Sequence, residues 1–476
     1  MTRQVAPARV AAHQVLRAVH LRRDLATALA AARRELNDPR DRALAGEIAC
    51  GTLRWRNAID HFLTQVSTRP LARISPPILD LLRAATYQIH WLDRIPPHAV
   101  VADAVTLSRV IGKPRGAGFV NAVLRALADT RRAPALSLPD APAHDTRPEN
   151  AENPLISREP ALDYLGVTLS HPRWLVARWL DRHGFDAAVD WTRFNNGVPP
   201  VTLRPNLARI SASGLATALA AYDVRTTPAR HAPHGLHVQV GDPASTPLAA
   251  EGLFVIQDEA SQLILELVTL PAGGTILDLC ASPGNKTAGL AAPRVEVSAP
   301  SARRQDDGVA LVVACDHRPH RVSLLKRARE RLGLSNVAVV RLDATAPLPF
   351  GERFDHVLLD APCSGLGIVR RDPDIKWRRE PRDLHVFADR QLAMLRRAAA
   401  CVRRGGRLVY STCSSEPEEN EEVVAQFLED RTAFTLIQPE SPVARPFVDN
   451  AGYFRTLPFR DGVDAFFGAV LRRKAA

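Results

Sequence analysis

Two cysteines in this chain sit where a thiol can react. Cys363 lies in DAPCSG (360–365) and Cys413 in STCSSEPEEN (411–420), each shortly after an apolar run of strand character. A thiolate in a loop is a nucleophile, and two thiols converging on one cleft point to covalent chemistry. Cys280, Cys315 and Cys401 fit equally well as small buried fillers. Four aspartates, Asp278, Asp316, Asp343 and Asp360, fall at or just past the ends of similar runs. One such acid is as readily a turn or capping residue as a ligand-binding one; four at equivalent strand ends form a set. The turn DLCASPGNKT (278–287) supplies Pro283 and Gly284 for a tight bend, Asn285 as a residue that tolerates positive φ, and Lys286 at the start of a helix. It is neither G-x-G-x-x-G nor a P-loop, which disfavours a phosphate cradle. The six cysteines form no C-x-x-C pair, so neither a metal site nor a disulfide framework is expected.

These residues need a scaffold, and the hydrophobic pattern supplies one. From Gly252 to the end, residues 252–476, the chain alternates strand, turn and helix: TILDL (275–279), VALVVAC (309–315), VAVVR (337–341), HVLLD (356–360) and GRLVYS (406–411). Near-continuous apolar strands separated by helices predict a parallel sheet covered on both faces, with ligands beyond the carboxyl ends of the strands. Residues 293–308, rich in Pro, Ser and Arg, read as a surface insertion without a catalytic role; they lengthen the spacing from Asp278 to Asp316 beyond the usual ~20 residues. Upstream, Ala12, Val15, Leu16 and Val19 keep helical spacing, as do Ile78, Leu81, Leu82 and Ala85, and Val120, Val123, Leu124 and Leu127. Residues 1–130 are therefore expected to form an all-helical domain of five to seven helices. Six prolines between 134 and 160 mark 131–160 as a linker. A stretch with Trp174, Trp179 and Trp191, followed by VTLRPN (201–206) and LHVQV (236–240), predicts a small α/β domain over 161–251.

The 476 residues, 46% hydrophobic and 24% charged, have the composition of a folded chain. A net charge of +11 suits a polyanionic partner such as nucleic acid. Only five of the 62 basic residues are lysines, however, and GC-rich coding alone can produce such an arginine bias. No apolar run approaches the roughly 18 residues of a membrane-spanning helix. The Arg-rich amphipathic start reads as the first helix of a domain rather than a transit peptide. Free thiols suit the reducing cytoplasm.

DLCASPGNKT, the isolated Asp316, LDAT (342–345), DAPCSGLG (360–367), RRDPDIKWRR (370–379) and YSTCS (410–414) together resemble the ordered motifs of the RNA 5-methylcytosine methyltransferases. GTLRWR (51–56), YQIHWLDRIPPHAVVADAV (87–105) and FVNAVLR (119–125) are similar to the NusB-type RNA-binding module. Among these enzymes that module marks the bacterial small-subunit ribosomal RNA methyltransferase B type. The resemblance covers nearly the whole chain apart from the linker and the insertion. It departs from the usual pattern at Ser282 and Asn285 in the CAAPGGKT turn, at Asp372 where His is common, and at Val463 and Ala465 where Thr and Gly are usual.

The resemblance implies a NusB-like N-terminal domain, a small α/β RNA-binding subdomain and a Rossmann-like catalytic domain using S-adenosylmethionine. It implies that Cys413 attacks carbon 6 of a cytosine in small-subunit ribosomal RNA, that Asp360 acts at ring N3, and that Cys363 serves product release. The carbonyl of Pro362 would read the exocyclic amine. Cys280, Ala281, Ser282, Pro283, Gly284, Asn285 and Lys286 would hold the methionine portion of the cofactor, Asp316 the ribose and Asp343 the adenine amino group, with Asp360 also beside the cofactor and Asp278 bracing the turn. No metal and no membrane enter this scheme. A transfer-RNA cytosine-5 methyltransferase and a non-catalytic RNA-binding assembly factor are the competing expectations. Lys376 and Trp377 fit a position near the substrate and a packed surface loop equally well.

Overall fold

The computed structural model describes residues 5–130, 138–142, 157–268, 273–292 and 309–475. The insertion at 293–308 and most of the proline-rich linker lie outside the described residues. The chain forms two compact units, one of residues 1–198 with 369–378 and one of 199–368 with 379–476.

The first unit opens with seven α-helices: α1 (Pro7–His20), α2 (Leu25–Arg34), α3 (Pro39–Arg54), α4 (Arg56–Val66), α5 (Pro76–Trp91), α6 (Pro97–Val110) and α7 (Ala117–Thr130). Their starts are written in the sequence. Asp24 and Asp38 cap α2 and α3 through their side chains, and α1, α3, α5 and α6 each carry proline in the first turn, where its missing N–H costs nothing. The expected stripes face inward: Val15, Leu16 and Val19 of α1, Leu81, Leu82 and Ala85 of α5, and Val120, Val123, Leu124 and Leu127 of α7 are all buried. Three further helices follow, α8 (Arg158–Asp163), α9 (Arg173–His183) and α10 (Phe185–Asn196); α8 begins inside the stretch assigned to the linker. Trp179 of α9 and Trp191 of α10 stack with ring centroids 4.6 Å apart and no exposed surface. The segment expected to be one small α/β domain thus divides, its tryptophan helices falling in the first unit and its strands in the second.

The second unit holds two sheets. β1 (Thr202–Pro205), β2 (Arg225–Pro228), β3 (Leu236–Val240) and β4 (Phe254–Ile256) form an antiparallel sheet in the order β2-β3-β1-β4, covered by α11 (Ala212–Ala220). The larger sheet contains β5 (Thr275–Leu279), β6 (Leu311–Asp316), β7 (Val337–Arg341), β8 (Phe354–Asp360), β9 (Val402–Thr412), β10 (Phe434–Ile437), β11 (Phe454–Arg455) and β12 (Phe467–Arg473). Its order is β10-β12-β9-β8-β5-β6-β7, with β11 paired to β12. Pairs among β5 to β9 are parallel, and β12 runs antiparallel to β9 and β10. Side chains alternate across it: Ile276, Val312, Leu358 and Val409 enter one apolar layer, and Leu277, Val313, Leu359 and Tyr410 the other. Because the chain runs outward from β5 to β6 and β7, then returns to β8 on its other side, the direction of winding reverses at β5. A crevice at the carboxyl ends of the strands follows from that reversal.

Candidate active site

The parallel register of β8 and β9 places Asp360 beside Ser411, so the loops leaving the two strands emerge together. Cys363 and Cys413 stand on these loops with their sulfurs 3.2 Å apart, both free thiols and both half-buried. Around them Ser364, Thr412 and Ser414 are buried, so the cysteines form the accessible part of an otherwise closed segment. The loops are clamped from beneath by Glu419. One of its carboxylate oxygens accepts from the Ser364 amide (2.8 Å) and Gln391 (3.0 Å), the other from the hydroxyls of Ser364 and Ser414 (2.5 Å each). Burial raises the Glu419 pKa above the ordinary value, and the bonds from Ser364 and Ser414 pull against that shift. The Cys363 pKa is likewise raised, by its contact with Cys413 and by burial.

Beside the thiols, the Lys286 ammonium donates to Asp360 at 2.7 Å, and the Ser411 hydroxyl donates to the other oxygen of Asp360 at 2.9 Å. Burial disfavours the Lys286 cation, but the Asp360 carboxylate more than offsets this and its pKa is raised. Lys286 sits in the first turn of the helix Asn285–Ala291. Its preceding turn is held by the Ala281 amide donating to Cys315 and the Gly284 amide donating to Ala281, both at 2.8 Å. The left-handed backbone falls at Cys280 (φ 63) and Gly284 (φ 107), not at Asn285, which is already helical. Gly284 takes the left-handed position as the N-cap, so Asn285 opens the helix, and its side chain donates at 2.9 Å to the Ile256 carbonyl of β4.

Next to this pair opens a cavity of about 660 Å³ lined by Cys280, Asp316, Asp343, Pro362, Phe387 and Met394. Asp316, at the end of β6, is 6% exposed and accepts from the Arg318 amide at 3.1 Å. The nearest cation to its other oxygen, Arg321, is 3.9 Å away. Asp343 accepts from the hydroxyl and amide of Thr345 on one oxygen, bonds that hold its pKa below the usual carboxylate range. Carboxylates opposite apolar and aromatic walls suit a nucleoside. Asp278 instead points into the fold, bonded to Thr287 at 2.6 Å, and burial raises its pKa to about 7.

Of the motif RRDPDIKWRR, the last residue, Arg379, lines this cavity and donates to the Ser364 carbonyl at 2.8 Å, and the rest lies in the first unit. Residues 369–378 belong to the first unit, where Lys376 is fully buried and donates to the carbonyls of Arg54 (2.9 Å) and Ser170 (2.6 Å). The indole of Trp377 donates to Leu53 at 2.6 Å. Both side chains are packed within the helical unit. Sequence reasoning missed Glu419, Gln391 and Ser411; the acidic run after STCSS was visible, but nothing in it marked which glutamate turns inward.

The family described as "16S rRNA methyltransferase RsmB/F" matches residues 266–472, the NusB family residues 6–129, and an RsmF/B-like ferredoxin-like domain residues 171–243. The "Probable ribosomal RNA small subunit methyltransferase B" of Bacillus subtilis is 33% identical over 446 residues, 92% of each chain. The chain belongs to the RsmB/F methyltransferase family. A second RsmB/F relative, "Ribosomal RNA small subunit methyltransferase B" of Pseudomonas putida, is 32% identical over 82% of each chain. Among solved structures, PH0851 aligns at a TM-score of 0.78 and 22% identity, over 99% of this chain and all of that one, a likeness of fold. A "Methyltransferase Homolog Protein from Pyrococcus Horikoshii" aligns at a TM-score of 0.52 and 25% identity, covering 67% of this chain and all of that one. The family's helical, ferredoxin-like and Rossmann-like parts are all present. No helix among the described residues is long and apolar enough to cross a membrane, and none of their His, Cys, Asp and Glu side chains group as a metal site.

Proposed function

We propose that this protein methylates carbon 5 of a cytosine in small-subunit ribosomal RNA, acting in the cytoplasm with S-adenosylmethionine as donor. The observation that carries the reading is the pair of accessible thiols, 3.2 Å apart, beside the Lys286–Asp360 ion pair. The residues present fit the donor: the Asp316 carboxylate can accept from both ribose hydroxyls, Asp343 from an adenine amine, and Pro362, Phe387 and Met394 offer apolar walls. When bound, that group supplies an electrophilic methyl.

Carbon 5 of cytosine is a weak nucleophile, so the chain must activate the ring. The Cys413 thiolate adds to carbon 6, and the electron pair displaced from the 5,6 double bond makes carbon 5 enamine-like. Negative charge spreading to N3 takes a proton shared through Asp360, with Lys286 holding the pair's positive charge in place. The Pro362 carbonyl accepts from the exocyclic amine, which a uracil lacks. After methylation, Cys363 in its thiolate form takes the carbon-5 proton, the 5,6 double bond re-forms and the Cys413 thiolate departs. Contact with Cys413 and burial favour the neutral thiol at Cys363, so this step requires that its own proton first pass to solvent.

Cysteine substitutions test this sequence of events. Cys363→Ala should trap a protein–RNA adduct that survives denaturing electrophoresis, whereas Cys413→Ala should form none. A Cys363→Ala enzyme that turns over normally would remove that thiol from the scheme. Mapping tritiated methyl groups on small-subunit RNA and on transfer RNA separates the substrate classes, and no transfer to either leaves an assembly factor. In the same reading, residues 1–130 form the NusB-like RNA-binding part, 161–251 the small RNA-binding subdomain and 252–476 the catalytic part.

A further inference from the structure

The helical unit contains a cavity of about 580 Å³ where the start of α5 meets the turn Pro114–Gly116 that leads into α7. Its rim carries Arg69, Arg73, Lys113 and Arg115, all exposed, and its lining includes no carboxylate. Among the described residues none of these four side chains forms an ion pair. Some arginines of the same unit are matched, Arg9 with Asp103, Arg17 with Asp80 and Arg83 with Asp60, and these lie away from the cavity. Three arginines and one of the chain's five lysines thus gather around one opening with no carboxylate in its lining.

Two more features favour an anionic ligand with a flat face. The Arg69 guanidinium lies 5.0 Å over the ring of Phe119, which lines the cavity with Ile74 and Ile78. Ser75, the residue capping α5, also lines the cavity and makes no side-chain bond to the helix, so its hydroxyl is a further polar group at the opening. Phosphates need the cations; a base or ribose needs the aromatic face and apolar floor. An acidic peptide would satisfy the first requirement and leave the second unused.

We propose that this cavity seats a nucleotide step of single-stranded RNA, with Arg73, Lys113 and Arg115 on phosphates and the Arg69–Phe119 pair against a base. The assignment rests on the reading of RNA as substrate and adds where on the helical unit the backbone is held. It predicts sequence-tolerant grip, because phosphates and stacking carry little base identity.

The test uses the full-length protein and deproteinised small-subunit ribosomal RNA, with binding measured over a series of KCl concentrations. The triple substitution Arg73→Gln, Lys113→Gln and Arg115→Gln should weaken RNA binding by about tenfold or more and flatten the logarithmic salt dependence by about 2, at ~0.7 per released single-strand phosphate contact. Binding of S-adenosylmethionine and the rate at saturating RNA should stay at wild-type values. The conservative Arg73→Lys, Arg115→Lys protein should keep the wild-type salt dependence, which separates charge from any effect on folding. Phe119→Leu should weaken binding without changing the salt dependence. An unchanged salt dependence in the triple variant overturns the proposal, as does a triple variant that loses affinity for polyglutamate while keeping it for RNA. Wild-type protein that binds RNA in this way yet methylates no cytosine sinks the catalytic reading and leaves this one standing.

Discussion

At the residue scale, two buried carboxylates do opposite work. Glu419 is a positioning residue: it touches no substrate, yet ties Ser364 and Ser414, the neighbours of both thiols, to one point. Replacing it with Gln puts an amide NH₂ against hydroxyls that now donate, and the loops lose a shared anchor. We expect Glu419→Gln to lose roughly 1–3 kcal/mol of stability in urea unfolding, and single-turnover methyl transfer to fall by up to about 100-fold, the effect of an approximately 1 Å displacement of reacting groups. Asp278, by contrast, is buried with one oxygen lacking a hydrogen-bond partner among the described residues. Its folded pKa of about 7 exceeds its ordinary value of 3.8. Between those values the folded protein binds more protons than the unfolded chain, so its contribution to stability is full in acid and is lost as pH rises through about 7. Asp278→Asn removes that loss. The variant should therefore gain on the wild type between about pH 4 and about pH 7, by roughly 1.4 kcal/mol for each tenfold difference in proton affinity between the two states; parallel stability curves would show that Asp278 is not the group responsible.

At the element scale, the site depends on strand register and on one close backbone approach. Gly367 donates its amide to the Cys413 carbonyl at 2.9 Å and accepts from the Ala465 amide at 3.0 Å. A Cβ there would lie 2.0 Å from the Ala465 oxygen and 2.8 Å from that of Cys413, both backbone atoms that cannot swing aside. Gly367→Ala should consequently separate the two thiol loops. Trapping by a bifunctional thiol reagent that bridges Cys363 and Cys413 should drop sharply, while far-ultraviolet circular dichroism stays near wild type; equal trapping would mean that the loops absorb the methyl group. Much of this scale is legible in the sequence. TILDL and VAVVR coincide with β5 and β7, because central parallel strands are apolar on both faces and stand out as short runs. The antiparallel edge is not: β10 and β12 close the sheet beyond β9, and neither is among the five runs that the hydrophobic pattern picks out. The thiols and strand-end acids can be found by residue type and spacing. Glu419 cannot, since only the folded chain distinguishes it from Glu418, Glu421 and Glu422.

At the scale of the whole molecule, the chain leaves the second unit after Ile368, contributes ten residues to the helical unit, and resumes the second at Arg379. Lys376 anchors that excursion with no exposed surface, and burial lowers its pKa well below that of an ordinary lysine. Lys376→Met removes the donor to two carbonyls, those of Arg54 and Ser170, without changing side-chain bulk much. Unfolding of the helical unit should be easier by roughly 1–3 kcal/mol, the cost of buried acceptors left unmet. A tryptophan fluorescence melt reports it, since all six tryptophans lie in the helical unit, and an unchanged midpoint would mean that water replaces the amine.

That ten-residue excursion starts at Val369, a short way along the chain from Cys363. A lesion in α3 that loosens the Leu53 and Arg54 carbonyls reaches the thiol loop through a short covalent tether, so defects scored as catalytic can originate among the helices. Selection for second-site suppressors of such lesions should return changes clustered in residues 369–378, the stretch that carries the tether.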